Sequence, residues 1–373
     1  MPPRQIRRYA ASAAVAFPGV DAFLDPILAS IATHDMTIMR SGGRFEIGSP
    51  YGTARLEARS RQLLLSVETD SPDALNRLKH ALVGPISFIA ASEKLEFAWT
   101  GDETGLTPLE DLRVLRVRDT THLTPCIRRI VFEGEDLSRF DRDDQLHCRL
   151  IFQPKGEASP QWPALNERGH IHWPGQRKLA TRVYTIRAID PAKGEITIDF
   201  ALHGRAGPAT RWAVDASPGD LAGIVGPAAD GPRPARFYVL AGDETGLPGI
   251  ARILEKLDGG VHGFAFIEID GPGEKLPLVR PTGIEVRWLD RNGAEPGTTT
   301  LLIDAVRSVV WPSDLSHSFF WGGCEHAAFR QIHRHLRTEI RLPRERQVFY
   351  SHWHRSLSEE QIVAAGAEAY LPD

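Results

Sequence analysis

The sequence predicts a multidomain chain with a small α+β domain, then an antiparallel β-barrel, then a doubly wound parallel-sheet α/β domain. Three observations carry this expectation. At 373 residues the chain exceeds one ordinary domain. Its middle third is a series of short strand-like segments separated by turns. Its last third alternates apolar runs of strand length with helical stretches, the pattern of a parallel sheet covered on both faces. The expected domains are 1–100, 110–232 and 233–373.

The first domain opens with a helical pattern over Asp21–Thr33, with Phe23, Ile27 and Ile31 on one face. Strand-like runs follow at Arg44–Ile47, Thr53–Ala58 and Leu63–Val67. Ser71-Pro72 offers a cap and a first-turn proline to a helix whose face is Leu75, Leu78 and Leu82. Lys94–Trp99 reads as a closing strand, and Thr100–Leu109, with two glycines and a proline, as a linker. His34 and Met36 read as packing residues. The barrel segments are Val114–Val117, Ile127–Phe132, Cys148–Phe152, Arg182–Ile186, Ile196–Leu202 and Leu221–Val225, with one short helix running through Trp212. The parallel-sheet runs are Phe237–Ala241, Phe264–Ile269, Ile284–Leu289, Phe319–Trp321 and Val348–Tyr350.

Composition bounds the function. Hydrophobic residues at 42% and charged residues at 25% are those of a globular protein. A net charge of −4 argues against nucleic acid as a partner, because neutralising phosphates needs a basic excess. Cys126, Cys148 and Cys324 form no CxxC pair, which argues against an iron–sulfur cluster, a zinc ribbon or a disulfide framework. Arg4, Arg7 and Arg8 precede the apolar run Ala10–Phe17, a faint likeness to a signal peptide cut short by Pro18-Gly19. No window approaches the roughly 18 apolar residues that span a bilayer. The expectation is a soluble, cytoplasmic protein without membrane insertion; nothing in the sequence fixes its oligomeric state.

Three segments carry chemistry. Arg182-Val183-Tyr184-Thr185-Ile186-Arg187 alternates along a strand, placing Arg182 and Tyr184 on one face and Thr185 and Arg187 on the other. An aromatic ring stacks on a planar ligand and arginine pairs with phosphate, although an ordinary strand with solvated arginines looks the same. From Asp199 to Ala213 a strand passes through a glycine-bearing loop into a helix N-terminus, where unpaired N–H groups and the dipole favour a phosphate. Gly242-Asp243-Glu244-Thr245-Gly246 follows the first strand of the parallel sheet, where such sheets bind nucleotides. It is not GxGxxG, and its two acids would repel a phosphate if they faced one.

Together these segments resemble the siderophore-interacting protein family, a branch of the ferredoxin-reductase-like flavoproteins. Its R-x-Y-T-x-R strand, L-H-G…G-P-A…W-A loop-helix and G-D-E-T turn occur in this order. Trp288-Leu289-Asp290-Arg291, Trp321-Gly322-Gly323-Cys324-Glu325 and Val348–Trp353 resemble its later landmarks, so the likeness covers about residues 110 to 356. The resemblance implies a flavoprotein enzyme that passes electrons from NADPH or NADH through FAD to a ferric siderophore or other ferric chelate, releasing iron(II) without protein ligands to the metal. It implies that Arg182, Tyr184, Thr185 and Arg187 hold FAD, with Tyr184 and Thr185 as the catalytic pair at the flavin ring. His203, Gly204, Gly207, Ala209, Thr210 and Trp212 would line the rest of FAD, and Gly242, Asp243, Glu244 and Thr245 the nicotinamide nucleotide. Gly246, Gly249 and Cys324 depart from the family's usual residues, and Cys324 could crowd or tune the nicotinamide site, an effect the sequence leaves open.

An anionic chelate calls for a basic pocket, and Arg177, Lys178 and Arg355 are its candidates by position. The pairs His170/His172, His333/His335 and His352/His354 are read as structural, with no metal site expected. Asp270 could read a ribose 2′-hydroxyl, whereas Lys275 and Arg291 could meet a 2′-phosphate, so the sequence leaves NADH and NADPH both open. A reductase of free flavin, a quinone or a partner protein, and a non-catalytic siderophore binder, are the competing functions.

Overall fold

The computed structural model describes residues 7–32, 36–157, 159–175, 178–202, 207–358 and 361–362. The architecture is the expected one, an α+β region followed by an antiparallel barrel and a parallel α/β sheet. Contacts divide it into two compact units: the described residues within 1–110, 161–178 and 360–371, and those within 111–160 and 179–359.

In the first unit the strands are β1 (Tyr9–Ala16), β2 (Thr37–Ser41), β3 (Arg44–Ser49), β4 (Gly52–Arg59), β5 (Gln62–Thr69) and β6 (Trp99–Gly101), with helices α1 (Val20–Ala32) and α2 (Pro72–Ile89). They form one sheet of order β2-β3-β4-β5-β1-β6. β1 is the Ala10–Ala16 run that resembled part of a signal peptide. Its strict alternation sends Ala11, Ala13 and Val15 inward, between β5 and β6. The helices cover that inner face, and Met36 joins the core they build with Ile27, Leu75 and Leu82. His34 lies outside the described residues. The segment expected to close as a strand over Lys94–Trp99 begins pairing only at Trp99, because Lys94 adopts a left-handed conformation after a 3₁₀ turn. The expected linker instead carries β6 and β7 (Thr107–Pro108).

The barrel begins with β8 (Arg113–Thr124), β9 (Ile127–Gly134) and β10 (Gln145–Phe152). After β10 the chain makes an excursion through β11 (Ala164–Leu165) and β12 (Ile171–His172), which pair with each other and with β7 inside the first unit. There the Lys79 ammonium of α2 is buried and donates to the carbonyls of Glu167 (3.0 Å) and Asp102 (3.4 Å). The chain returns as β13 (Ala180–Thr185), β14 (Ala188–Asp190), β15 (Glu195–Ala201), helix α3 (Pro208–Asp215) and β16 (Leu221–Asp230). The sheet runs β13-β10-β16-β8-β9-β15-β14. It curls until Tyr184 of β13 meets Phe200 of β15 at 4.4 Å between ring centroids, and Arg187 N–H donates to the Thr197 carbonyl.

The parallel sheet has β17 (Phe237–Gly242), β18 (His262–Ile269), β19 (Ile284–Asp290), β20 (Ser318–Glu325) and β21 (Gln347–Trp353), in the order β19-β18-β17-β20-β21. α4 (Leu247–Lys256) packs its Ile250, Ile253 and Leu254 on one face. α5 (Leu301–Arg307) and α6 (His326–His335) cover the other. Burial on both faces explains why β17 and β20 are buried at every position. The order reverses between β17 and β20, so the crevice for a nucleotide opens at their carboxyl ends.

Candidate functional site

The strand β13 places Arg182, Tyr184 and Thr185 as alternation requires: Arg182 and Tyr184 half-buried on one face, Thr185 buried on the other. Thr185 pairs in register with His147 of β10. The Thr185 hydroxyl is buried without a hydrogen-bond partner, a state that normally costs about 1–3 kcal/mol. Arg187 points elsewhere. Its guanidinium makes a bidentate pair with Glu255 of α4 (2.9 and 2.5 Å), tying the barrel to the α/β half. Arg252, also on α4, is buried and donates to the Ile186 (2.8 Å) and Arg142 carbonyls, reinforcing the same junction.

α3 starts at Gly207 with Pro208 in its first turn and no side-chain cap; a β-carbon added to Gly207 would meet nothing within 4 Å. An uncapped, open helix N-terminus suits a phosphate chain. Thr210 is half-buried at this end. Ala209 and Trp212 instead belong to the barrel core, with the Trp212 ring against Phe152 and Phe132 and its indole N–H on the Gln153 carbonyl (3.1 Å). The structure thus gives Trp212 a packing role. His203, Gly204 and Arg177 lie outside the described residues.

At the crevice, Asp243 is a hub. One carboxylate oxygen accepts from the Thr245 amide (2.9 Å) and hydroxyl (2.5 Å), the other from the Glu325 amide (3.0 Å) and the Trp353 indole (2.8 Å). The Thr245 hydroxyl, having given its proton to Asp243, can only accept from Nδ1 of His352 (3.2 Å). That fixes the proton of neutral His352 on Nδ1 and leaves a buried, unpartnered lone pair on Nε2. His147 lies 5.3 Å from His352 between ring centroids, edge to face, and both of its nitrogens are buried without partners. Burial first, then the proximity of His352 and Arg252, hold His147 well below the usual histidine range. Burial also lowers His352, against the opposing pull of Asp243. His147 interrupts the largely apolar strand Leu146–Phe152 and, unlike Arg149 in the same strand, is buried there; a histidine in such a run is the signal by which sequence could have found it.

Glu244 turns away from the crevice mouth into a buried bidentate pair with Arg291 (3.0 and 2.6 Å). Glu244 is therefore neutralised by Arg291 and Asp243 is taken up by four neutral donors, and with the Thr245 hydroxyl engaged, the turn offers its backbone. Gly242 faces Gly323 across β17 and β20. A β-carbon on Gly246 would overlap the Gly323 carbonyl, and one on Gly249 would sit 2.9 Å from Cζ2 of Trp321. These contacts explain both departures from alanine. Cys324 is buried in the core beneath α6 with Phe329 and Ala241, and its thiol donates to the Glu325 carbonyl (3.5 Å). Its side chain is core packing.

Among the candidate chelate-docking charges, Lys178 is exposed in the first unit, 5.5 Å from the Trp173 ring centroid. Arg355 follows β21 in the second unit, its amide on Glu325 (3.0 Å) and its guanidinium on exposed Glu295 (3.1 Å). Among the described residues no three His, Cys, Asp or Glu side chains come together as a metal site, and no helix is long and apolar enough to cross a membrane. His354 stacks on His326 at 4.6 Å.

A curled antiparallel barrel ahead of a doubly wound parallel sheet, with an uncapped helix end on the first and a tight turn on the second, defines a two-domain flavin reductase architecture. The sequence profile of the siderophore-interacting FAD-binding domain matches residues 116–231, and that of the siderophore-interacting protein matches residues 235–356. The chain is 31% identical over 238 residues to the ferric vibriobactin reductase ViuB of Vibrio cholerae, covering 62% of this chain and 85% of that protein. It is 35% identical over 210 residues to an NADPH-dependent ferric-chelate reductase of Escherichia coli, covering 54% of this chain and 80% of that one. A siderophore utilization protein from T. fusca superposes with a TM-score of 0.60 at 33% identity, over 69% of this chain and 96% of that one. The chain belongs to the siderophore-interacting protein family. FAD fits the residues present: a buried hydroxyl without a partner on β13, and an open helix end that suits its phosphates.

Proposed function

We propose that this chain is a nicotinamide-dependent, FAD-containing reductase of ferric siderophores that releases iron as iron(II). The observation that carries the reading is the Thr185 hydroxyl, orphaned in the barrel wall on the strand that also bears Arg182 and Tyr184. FAD, when bound, takes two electrons as hydride from a dihydronicotinamide and passes them on singly to iron(III). In this reading Thr185 hydrogen-bonds the flavin ring, Tyr184 packs against it, Arg182 pairs with the phosphate chain, and the open end of α3 receives that chain. The Gly242–Thr245 turn holds the nicotinamide nucleotide through its backbone. Neutral His147 and His352 keep the neighbouring interior free of added charge. Arg355 and Lys178 each attract an anionic chelate from the surface, without ligating its iron. The expected domains are 1–100, 110–232 and 233–373, with the chemistry in the last two, in the cytoplasm.

The test is anaerobic. The purified protein is expected to carry bound FAD, to bleach with a reduced nicotinamide nucleotide, and to recolour on mixing with a ferric siderophore while a ferrous-specific chelator reports iron(II). Recolouring by free flavin or a quinone at rates far above those with every ferric chelate tried would replace this reading with that of a general flavoprotein reductase.

A further inference from the structure

The carboxyl end of β18 and β19 is where a doubly wound sheet meets the adenosine ribose of its nucleotide. Two cations near it could have accepted a 2′-phosphate, and the structure removes one. Arg291 is buried, with 2% of its side chain exposed, held by Glu244 in two hydrogen bonds and flanked by Glu268 and Asp270 at 3.7 Å each. Three carboxylates thus share one guanidinium. Asp290, at the end of β19, adds a fourth acid, its Oδ1 4.0 Å from where a β-carbon on Gly271 would stand. Asp270 itself, the residue directly after β18, is 48% exposed and its pairing with Arg291 is loose. It is an available acceptor at the strand end.

We infer that this chain selects NADH over NADPH, with Asp270 as the residue that decides. The inference rests on the proposed nicotinamide-dependent reduction. A carboxylate at that position accepts hydrogen bonds from a ribose 2′-hydroxyl. A 2′-phosphate brings roughly two negative charges instead, against an acidic strand end whose one buried cation is already surrounded. This sets the chain apart from the E. coli relative whose name specifies NADPH. Lys275, exposed just beyond the 3₁₀ turn Pro272–Glu274, is the remaining cation through which a 2′-phosphate could be held.

The experiment compares nucleotides on the intact flavoprotein in two ways. Calorimetry with 5′-AMP and with 2′,5′-ADP reads the adenosine end alone, and stopped-flow absorbance reads flavin reduction by NADH and NADPH. The wild type is expected to favour 5′-AMP and NADH by at least about tenfold. Asp270→Ser should narrow that gap by about tenfold or more, by weakening NADH and admitting NADPH. Lys275→Ala should leave the preference for NADH standing. Equal or better binding of 2′,5′-ADP by the wild type, lost in Lys275→Ala, would overturn the inference while leaving the reductase reading intact. If neither nucleotide bleaches the flavin, although dithionite-reduced protein still reduces ferric siderophore, the nicotinamide reading itself fails, and the binding comparison then judges Asp270 alone.

Discussion

The first sheet and the parallel sheet of this protein handle charge in opposite ways. On the outer face of the first sheet, Arg44 and Arg59 both pair with Glu57 (3.0 and 2.7 Å), and Arg55 reaches Glu46 at 4.0 Å, with the arginine side chains more than half exposed. At the carboxyl end of the parallel sheet, Arg291 and Glu244 meet at similar distances with side chains 2% and 1% exposed. Distance does not separate them; solvent does. Exposed pairs trade one hydrated state for another, whereas a buried pair carries the desolvation of both ions and depends on each partner.

Breaking the buried pair is expected to give the largest effect. Arg291→Met leaves Glu244 buried beside Glu268, whose own carboxyl burial already pushes upward, and should destabilise the second unit by about 3–5 kcal/mol. Denaturant titration measures this. The double variant Arg291→Met with Glu244→Leu should recover much of the loss, because no charge is then stranded. If the single variant costs less than about 1 kcal/mol, the pair behaves like its exposed counterparts and the contrast collapses.

Protonation sharpens the same comparison. His147 and His352 titrate below the usual histidine value in the folded chain, each because of burial. The unfolded state therefore binds more protons than the folded state as pH falls below about 6.5, and stability falls with it. The slope is up to about 1.4 kcal/mol per pH unit for each histidine. Glu268, raised by burial, has the opposite sign and partly offsets this. Melting curves at pH 7.5 and 5.5 should therefore show a loss that His147→Phe reduces. An unchanged pH response in that variant would mean that His147 is not carried neutral into the fold.

A smaller effect is expected where packing alone is at stake. Gly249→Ala pushes a β-carbon into the Trp321 ring, whose indole donates to the Asp230 carbonyl at 3.4 Å and resists displacement. Overpacking of this kind costs about 1–3 kcal/mol, and the melting temperature reads it. No loss would show that the ring can move.

Much of this was legible in sequence because local patterns and global fold agree. The alternation of Arg182–Thr185 placed Thr185 opposite Arg182, and the run of strand-length apolar segments after Pro234 announced a sheet covered on both faces. What was not legible depends on partners distant in sequence. The roles of Arg187 and Arg291 are set by Glu255 and Glu244, 68 and 47 residues away. Ala10–Ala16 looked like a leader because β1 consists mainly of alanine, and only its pairing with β5 shows which alanines face a core. Lys79 reads as one more helix-surface lysine until the excursion through Glu167 folds back over it.

The smallest effect should come from the exposed pairs themselves. Arg44 donates to Glu57 across β3 and β4, but Glu57 also accepts from Arg59, which is the main reason its carboxyl lies below the usual range. Removing Arg44 therefore leaves Glu57 partnered as well as hydrated, so neither condition that makes Arg291 costly is met. Arg44→Ala is expected to leave the melting temperature within the scatter of replicate scans, and added salt should not move wild type and variant apart, since what little attraction exists is screened over about 8 Å at physiological ionic strength. A loss comparable to that of Arg291→Met would mean that this face is covered in solution, because a buried environment is what makes an ion pair of that length matter.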